Sequence, residues 1–333
     1  MGMCSKMIMR TSLSKSEWER AIFAILCPLV AIFGIVVLQN IGKKSEILAM
    51  IIPSLPRMES AVDFFRVIGS TLGIFLLPAT ILIYEAIKVG YKNSSLKRML
   101  NNESASANID YIYFLIRCSG LMHLLAYLFS LGLCFWLAEK FSQYFDFGLM
   151  RGSPFILQFI TYGLLHSLLF YWSHRLMHTK FLWEIHKVHH SAQEMNIVTP
   201  FRNHPVDMGI NLILFSAPIA IFGFDPYPIV LYSILNGAYQ CFVHSNFNYS
   251  HSFFQRLFIT PEAHRIHHSA NPMHWGKNYG ILTLWDVVFK TYQKPTENNA
   301  KISYGVKNDT DYNNSKPLFS IWSTLLRQFT NPE

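Results

Sequence analysis

Eight histidines of the chain fall in three short clusters whose spacing suits metal binding. In chain order the clusters read HRLMH, HKVHH and HRIHH. Residues at i, i+3 and i+4 share one face of a helix, so each cluster is expected to aim its imidazoles at one point. The eight clustered histidines are His174, His178, His186, His189, His190, His264, His267 and His268.

Neutral imidazole is a good ligand for iron, zinc and copper. Eight imidazoles exceed the four ligands of a tetrahedral ion, so the clusters predict a site for two metal ions. Two further histidines, His204 in FRNHPVD and His244 in FVHSN, lie near the clusters. Both are candidate metal ligands, and hydrogen bonding to a ligand is the alternative role for each. His251 and His274 lie in polar loops, and we expect them to stay outside the site.

The composition indicates a membrane protein. Of the 333 residues, 51% are hydrophobic and only 14% are charged, whereas a soluble domain has about 25% charged residues. This balance excludes a disordered protein and argues against an ordinary cytosolic one. The net charge of +8 suits a membrane surface. The basic residues form no dense patch interleaved with aromatics, so we expect no nucleic-acid partner.

Four apolar runs reach or approach the roughly 20 residues that cross a bilayer. They cover residues 21–38, 67–84, 118–138 and 154–173. Two shorter runs at 208–224 and 226–243 are separated by Asp225 and predict a tight helical hairpin, either re-entrant or at the membrane interface. His123 and His166 lie inside the long runs, where we expect neutral side chains bonded to neighbouring helices.

Lysines and arginines in the short loops indicate the orientation. Residues 1–20 and 88–110 hold four each, against three in 42–65 and two in 139–153. The first and third segments are therefore expected on the cytosolic side. Four crossings also place everything from His174 onward there.

The expected fold is an all-α membrane protein. It has four transmembrane helices, a short helical hairpin, and a cytosolic helical cap that holds a histidine-rich dimetal site. We divide it into an N-terminal transmembrane region (1–153), a catalytic domain (154–295) and a polar C-terminal tail (296–333) with a short amphipathic helix.

The histidine clusters and their neighbouring motifs resemble the fatty acid hydroxylase / sterol desaturase superfamily of membrane di-iron oxygenases. The resemblance covers residues 155–304 and includes VTPFRNHPVD, FVHSNFN and NYGILTLWDVVFKTY. The motif order is similar to that of alkylglycerol monooxygenase-like members. Two positions depart from the family pattern, Asp207 in place of a frequent Glu and Lys290 in place of a frequent Gly. Neither is expected to touch a metal ligand.

The resemblance implies two iron ions bound by imidazoles, with O₂ as co-substrate and hydroxylation of a lipid or sterol C–H bond. Zinc or nickel can replace the iron on purification. It further implies a multi-pass protein among membrane lipids, in a bacterial inner membrane or the endoplasmic reticulum, with the active site on the cytosolic face. Asp286 is expected either to orient a ligand histidine or to cap a helix. The chain has no iron–sulfur cysteine pattern, haem domain or GxGxxG. Electrons would therefore come from a separate ferredoxin, cytochrome or reductase.

The same residues fit several other reactions and functions. Desaturation and ether-lipid oxidation begin with the same C–H abstraction as hydroxylation. A membrane zinc hydrolase would need a carboxylate base; HExxH is absent, yet Glu184 and Glu262 flank two of the clusters. A metal carrier or a lipid-binding scaffold is the third class.

Overall fold

The computed structural model describes residues 78–101, 104–118, 121–145, 147–246, 248, 252–296 and 302–306. These residues are mostly helical, as the composition predicted. Their β-structure is limited to the isolated bridges Phe258–Leu282 and Ser269–Tyr304. The first apolar run, most of the second, and the expected amphipathic helix near the C-terminus lie outside the described residues.

Eleven α-helices carry the described part of the chain after a helical stretch at residues 78–89. They are α1 Ser95–Asn101, α2 Ala105–Cys118, α3 Leu121–Phe129, α4 Leu133–Tyr144, α5 Phe155–Met177, α6 Trp183–His190, α7 Pro205–Phe222, α8 Pro226–Val243, α9 Ser252–Leu257, α10 Pro261–His267 and α11 Thr283–Val288.

The fourth apolar run forms one long helix, as predicted. Helix α5 is 23 residues long and apolar enough to cross a membrane. Its Ile156, Ile160 and Leu164 are exposed at four-residue spacing, whereas Gln158 and Tyr162 are buried. Because residues at i and i+4 share a face, one side of α5 is an apolar stripe suited to lipid contact and the other side faces the protein.

Helix α7 also passes the length and composition test for a membrane span. It begins at Pro205, a favoured first helical residue, and ends at Gly223, whose φ of 64° is left-handed. Helix α8 starts three residues later, so both predicted helices of the hairpin are present.

The predicted tight pairing of these two helices is wrong. Helix α8 packs mainly on α5, whereas α7 packs most extensively on α4 and also on α3 and α5. Gln158 of α5 reaches the turn between them. Its Nε2 donates to Asp225 Oδ2 at 2.6 Å, and its Oε1 accepts from the Asp225 N–H at 2.7 Å. The two helices therefore lie against α5, which carries the first histidine cluster.

The third apolar run does not form the single span predicted for residues 118–138. Helices α2 and α3 meet at a bend of 85°, and α3 ends before α4 begins. Between α3 and α4, Leu131 and Gly132 have left-handed φ values of 49° and 75°. The Gly132 N–H returns to the Tyr127 carbonyl at 2.8 Å, which closes the helix end. The described residues thus contain two candidate spans, or three if the bent pair counts as one.

Candidate metal centre

Nine buried or half-buried histidines converge in two groups. The donor atoms within each group all lie within 4.8 Å of one another. The five-histidine group consists of His174, His178, His186, His190 and His267. The four-histidine group consists of His189, His244, His264 and His268. The structure therefore brings together all eight clustered histidines and adds His244.

The expectation that each cluster points at a single site is wrong for the two HxxHH clusters. In HKVHH, His186 and His190 join the five-histidine group while His189 joins the other. In HRIHH the division is reversed, and only His267 joins the five-histidine group. Residues four apart lie about 40° from one another around a helix axis, while adjacent residues lie about 100° apart. Each of these clusters therefore spans both groups.

Three short segments bring the clusters together at one end of α5. His174 lies in the last turn of α5, and His178 is the residue that ends the helix. Helix α6 is almost wholly the second cluster. Helix α10 begins at Pro261, where the Thr260 side chain accepts from the Ala263 N–H. This cap fixes the direction of α10, a short helix whose own length gives little stability.

Hydrogen bonds fix the ring orientation of five of these histidines. Four of them use Nδ1 to contact a backbone carbonyl: His174 to Tyr279 and His267 to Lys277 at 2.8 Å, His244 to Gln240 at 2.8 Å, and His189 to Arg202 at 3.3 Å. A carbonyl oxygen only accepts, so Nδ1 carries the proton in each ring. The Nε2 atom then presents a lone pair to the site.

The Nε2 atoms of the four-histidine group face one another. His189 and His244 Nε2 are 3.3 Å apart, His244 and His264 Nε2 are 3.0 Å apart, and His264 and His268 Nε2 are 3.1 Å apart. Because His189 and His244 both carry their proton on Nδ1, their facing Nε2 lone pairs repel unless a cation lies between them. Two nitrogens bound to one ion at about 2.1 Å, at an angle of about 90–110°, lie about 3.0–3.4 Å apart. The observed separations fit a shared metal ion.

The five-histidine group also has nitrogen atoms that lack a partner unless a metal ion binds. All five of its Nε2 atoms are buried and have no hydrogen-bond partner. A buried polar atom without a partner costs about 1–3 kcal/mol, so five together are costly unless they bind a ligand. A metal ion satisfies all of them at once, and the donor set of neutral imidazoles fits iron or zinc.

Burial keeps these imidazoles neutral. It lowers the pKa of His267 to about 3 and that of His244 to about 4. Burial, and then the neighbouring imidazoles, lower the pKa of His189, His190 and His268 well below the usual 6.5. Metal binding needs the unprotonated ring, and the folded protein supplies it at neutral pH.

Asp207 contacts a candidate ligand, contrary to the expectation from the sequence. Its Oδ2 accepts from His186 Nδ1 at 3.0 Å, with both side chains buried. Its Oδ1 accepts from Asn211 Nδ2 at 2.7 Å, and Asn211 Oδ1 accepts from Ser173 Oγ at 2.7 Å. This chain of bonds runs from α7 back to α5 and fixes the His186 ring. The position was missed because a single carboxylate 21 residues away from His186 gives no spacing signal.

Asp286 does not contact a histidine directly. Its carboxylate accepts from the Tyr279 and Gly280 N–H groups at 2.9 and 2.7 Å and from Thr291 Oγ1 at 2.7 Å. Those bonds hold the loop whose Tyr279 carbonyl accepts from His174. Asp286 therefore orients a candidate ligand through the backbone, one step further away than the sequence suggested.

A buried ion pair supports the carbonyl that His189 uses. Arg202 Nη1 lies 3.2 Å from Asp110 Oδ1, and both side chains are buried. Asp110 Oδ2 accepts from Asn196 and Thr199 at 2.8 Å. The arginine carries the carbonyl that accepts from His189. Sequence reasoning missed this pair because Asp110 lies in a part of the chain without a recognisable motif.

The remaining predicted positions lie outside the two groups. His204 belongs to neither group, so the geometry gives no support to its expected role as a ligand; its Nδ1 accepts from the Val206 N–H and caps α7. His274 contacts Ser269 Oγ at 2.9 Å. His166 contacts Tyr232 of the neighbouring α8 at 3.1 Å, as expected. His251 lies outside the described residues.

A cavity of about 140 Å³ lies between the two histidine groups. Histidines of both groups line it, among them His174, His186 and His244. Phe170 and Met177 are apolar side chains of its lining, and Ser173, Asn203 and Asn211 are polar ones. A small part of a substrate placed here would lie beside both groups at once.

Comparison with known proteins agrees with this geometry. Residues 159–291, which hold both histidine groups, match the family model for fatty acid hydroxylases. This region of the chain is therefore similar to fatty acid hydroxylases. No solved structure matches the chain.

Curated proteins that are similar to this region act on different lipids, according to their names. Human alkylglycerol monooxygenase (Homo sapiens) is 31% identical over 47% of this chain and 36% of its own length. The ornithine lipid hydroxylase OlsE of Rhizobium tropici is 31% identical over 38% of each chain. Lathosterol oxidase of Rattus norvegicus is 33% identical over 47% of this chain and 52% of its own length. The chain thus spans between about a third and a half of these curated relatives.

Proposed function

We propose that this protein is a membrane-embedded oxygenase that hydroxylates a C–H bond of a lipid or sterol. The observation that carries the proposal is the facing pair of Nε2 lone pairs on His189 and His244, 3.3 Å apart. That pair needs a cation, and the five unpartnered Nε2 atoms nearby need a second one. Oxygenases, a hydroxylase and an oxidase of lipids among the relatives support the same reaction class. We assign the catalytic domain to residues 154–295.

The two histidine groups would each hold one iron ion. Iron bound there would supply the reduction of O₂ and the oxidation of the C–H bond. In the overall reaction the C–H bond becomes C–OH, the second oxygen atom leaves as water, and two electrons and two protons are consumed. We expect the electrons to come from a separate ferredoxin, cytochrome or reductase.

The protein's own residues prepare this site in three ways. The backbone carbonyls and Asp207 hold the proton on Nδ1, so the lone pairs face inward. Burial keeps the rings neutral and excludes bulk water. The cavity then sets a C–H bond of the substrate beside both groups.

The zinc hydrolase alternative lacks a free carboxylate base at the cavity. Asp207 is the carboxylate among the described cavity residues, and His186 and Asn211 occupy its two oxygens. Glu184 pairs with Lys187, and Glu262 does not line the cavity. Hydroxylation and desaturation are both possible oxidations at this site. The names of two relatives refer to oxygen insertion, which favours hydroxylation. An ether-lipid monooxygenase remains the second candidate, since it uses the same first step.

We further propose a multi-pass topology with the histidine groups on the cytosolic side. The lysine and arginine counts and the candidate spans α5 and α7 support it. Met273 is 82% exposed and close in sequence to the third cluster. A Met273→Cys variant should therefore react with a membrane-impermeant maleimide only in inside-out vesicles. Reaction from the opposite face would overturn the topology.

Lipid profiling tests the activity itself. Cells that express the wild type with a working electron donor under ¹⁸O₂ should accumulate a lipid with one added ¹⁸O atom. Cells that express His189→Ala or His244→Ala should not, although the protein remains in the membrane. His274→Ala serves as the matched control, because this histidine lies outside both groups. Identical lipid profiles for wild type and His189→Ala would refute the proposal.

A further inference from the structure

The side chain of Gln240 lines the cavity where the substrate would bind. Gln240 lies on α8, one helical turn before His244. Its backbone carbonyl accepts from His244 Nδ1 at 2.8 Å, and its side chain lines the cavity between the two histidine groups. The helix therefore fixes this amide at a short distance from the candidate metal ligands.

The amide nitrogen of Gln240 is buried and has no hydrogen-bond partner. Among the described residues that line the cavity, Gln240 is the non-histidine side chain with such an atom. A buried donor left unpaired is costly, and native proteins rarely keep one without a reason. A ligand that enters the cavity with an acceptor atom would remove that cost.

The other polar side chains of the cavity are already engaged. Ser173 donates to Asn211, and Asn211 donates to Asp207, which also accepts from His186. Asn203 donates to the Pro200 carbonyl at 2.6 Å. These side chains therefore already have partners, whereas the Gln240 amide nitrogen has none and can donate to a substrate.

From this arrangement we infer that Gln240 is a specificity-determining residue that donates a hydrogen bond to an oxygen of the substrate. The preferred substrate is then a lipid whose oxidised carbon lies next to an acceptor such as an ether, ester or hydroxyl oxygen. A C–H bond in the middle of a plain hydrocarbon chain would leave the amide unpaired. The inference deepens the proposed function and rests on it for the identity of the oxidised carbon.

The test uses two lipids of equal chain length and the same head group. One has an ether oxygen next to the first chain carbon, and the other has a methylene in its place. Equilibrium competition against a tritiated copy of the ether lipid measures binding to the purified full-length protein without any turnover. We expect the wild type to bind the ether lipid about tenfold more tightly than the methylene lipid, the size of one hydrogen bond.

Gln240→Met removes the donor with little change in size, and Gln240→Glu replaces the amide with a group that only accepts when ionised. Both variants should lose the preference, while Gln240→Met binds the methylene lipid as the wild type does. In turnover with an electron donor, Gln240→Met should raise KM for the ether lipid about tenfold and leave kcat nearly unchanged. Gln143→Met is the control, because Gln143 is exposed on α4 and bonds to Glu139.

The outcomes separate this inference from the proposed function. A preference that is absent in the wild type, or unchanged in Gln240→Met, overturns the inference even if both lipids are oxidised. An equal loss of affinity for both lipids overturns it as well, since that indicates a packing role. A preference that depends on Gln240 supports the inference even where wild type and His189→Ala give identical lipid profiles, the result that refutes the proposed oxygenase.

Discussion

The two histidine groups differ in how much redundancy they contain. The five-histidine group draws on all three sequence clusters and has one imidazole more than a tetrahedral ion needs. The four-histidine group has no spare ligand and depends on His244, a lone histidine at the end of α8. Clustered histidines therefore do not by themselves complete a two-metal site. A residue supplied by a distant helix closes the second group.

The largest expected effect follows from this difference. His189→Ala or His244→Ala should lower the rate of lipid oxidation at least about 100-fold, because each variant removes one of only four imidazoles in its group. His178→Ala should lower it about tenfold, since four imidazoles remain in its group. Quantifying the oxidised lipid by mass spectrometry at equal protein levels measures both effects. Equal losses for the two kinds of variant would contradict the difference between the groups.

Asp207 belongs to neither histidine group, but it holds His186 of the five-histidine group in place. Asp207→Ala removes the acceptor of the His186 Nδ1 proton and should weaken metal binding at the five-histidine group about 10–100-fold. Asp207→Asn keeps one acceptor oxygen and should lose less. Metal titration in competition with a chelator gives the affinities of both variants. If the alanine variant binds both ions as tightly as the wild type, the bond to His186 has no orienting role.

The smallest expected effect is the pH dependence of the metal-free protein. The pKa of His267 and that of His244 are lowered to about 3 and about 4 in the folded state, against 6.5 in the unfolded chain. The unfolded chain therefore binds more protons below pH 6.5, and stability falls as the pH drops from about 6.5 toward 4. Thermal unfolding in detergent between pH 4 and 8 measures this trend. A stability that rises on acidification would contradict the burial of neutral rings in both groups.

The sequence predicted much of the site because its histidine spacing is local. Residues 174–190 hold five of the nine histidines, and helical periodicity within each cluster, together with the short turn between α5 and α6, brings them near each other. His264, His267 and His268 join them as expected, although both HxxHH clusters divide between the groups. His244 could be placed only as a candidate, since one histidine after an apolar run gives no periodic signal. The fold determines its role, because α8 packs on α5 and ends at the site.

Long-range contacts explain what the sequence did not predict. The bend between α2 and α3 and the left-handed turn at Leu131–Gly132 interrupt a run that reads as one span by hydropathy. Hydropathy averages over such a run and does not detect a helix end that a single hydrogen bond closes. Asp207 and the Arg202–Asp110 pair are single polar residues whose partners lie far away in sequence. Their roles depend on packing that periodicity cannot reveal.

The number of iron ions bound per chain is a direct test of the two-metal site. The purified protein is loaded anaerobically with ferrous iron, desalted and analysed by mass spectrometry for metals. We expect about two ions per chain in the wild type and in His274→Ala, and about one in the double variant His264→Ala/His268→Ala, which keeps the five-histidine group. A wild type that binds only one ion, with no further loss in the double variant, would contradict a two-metal site.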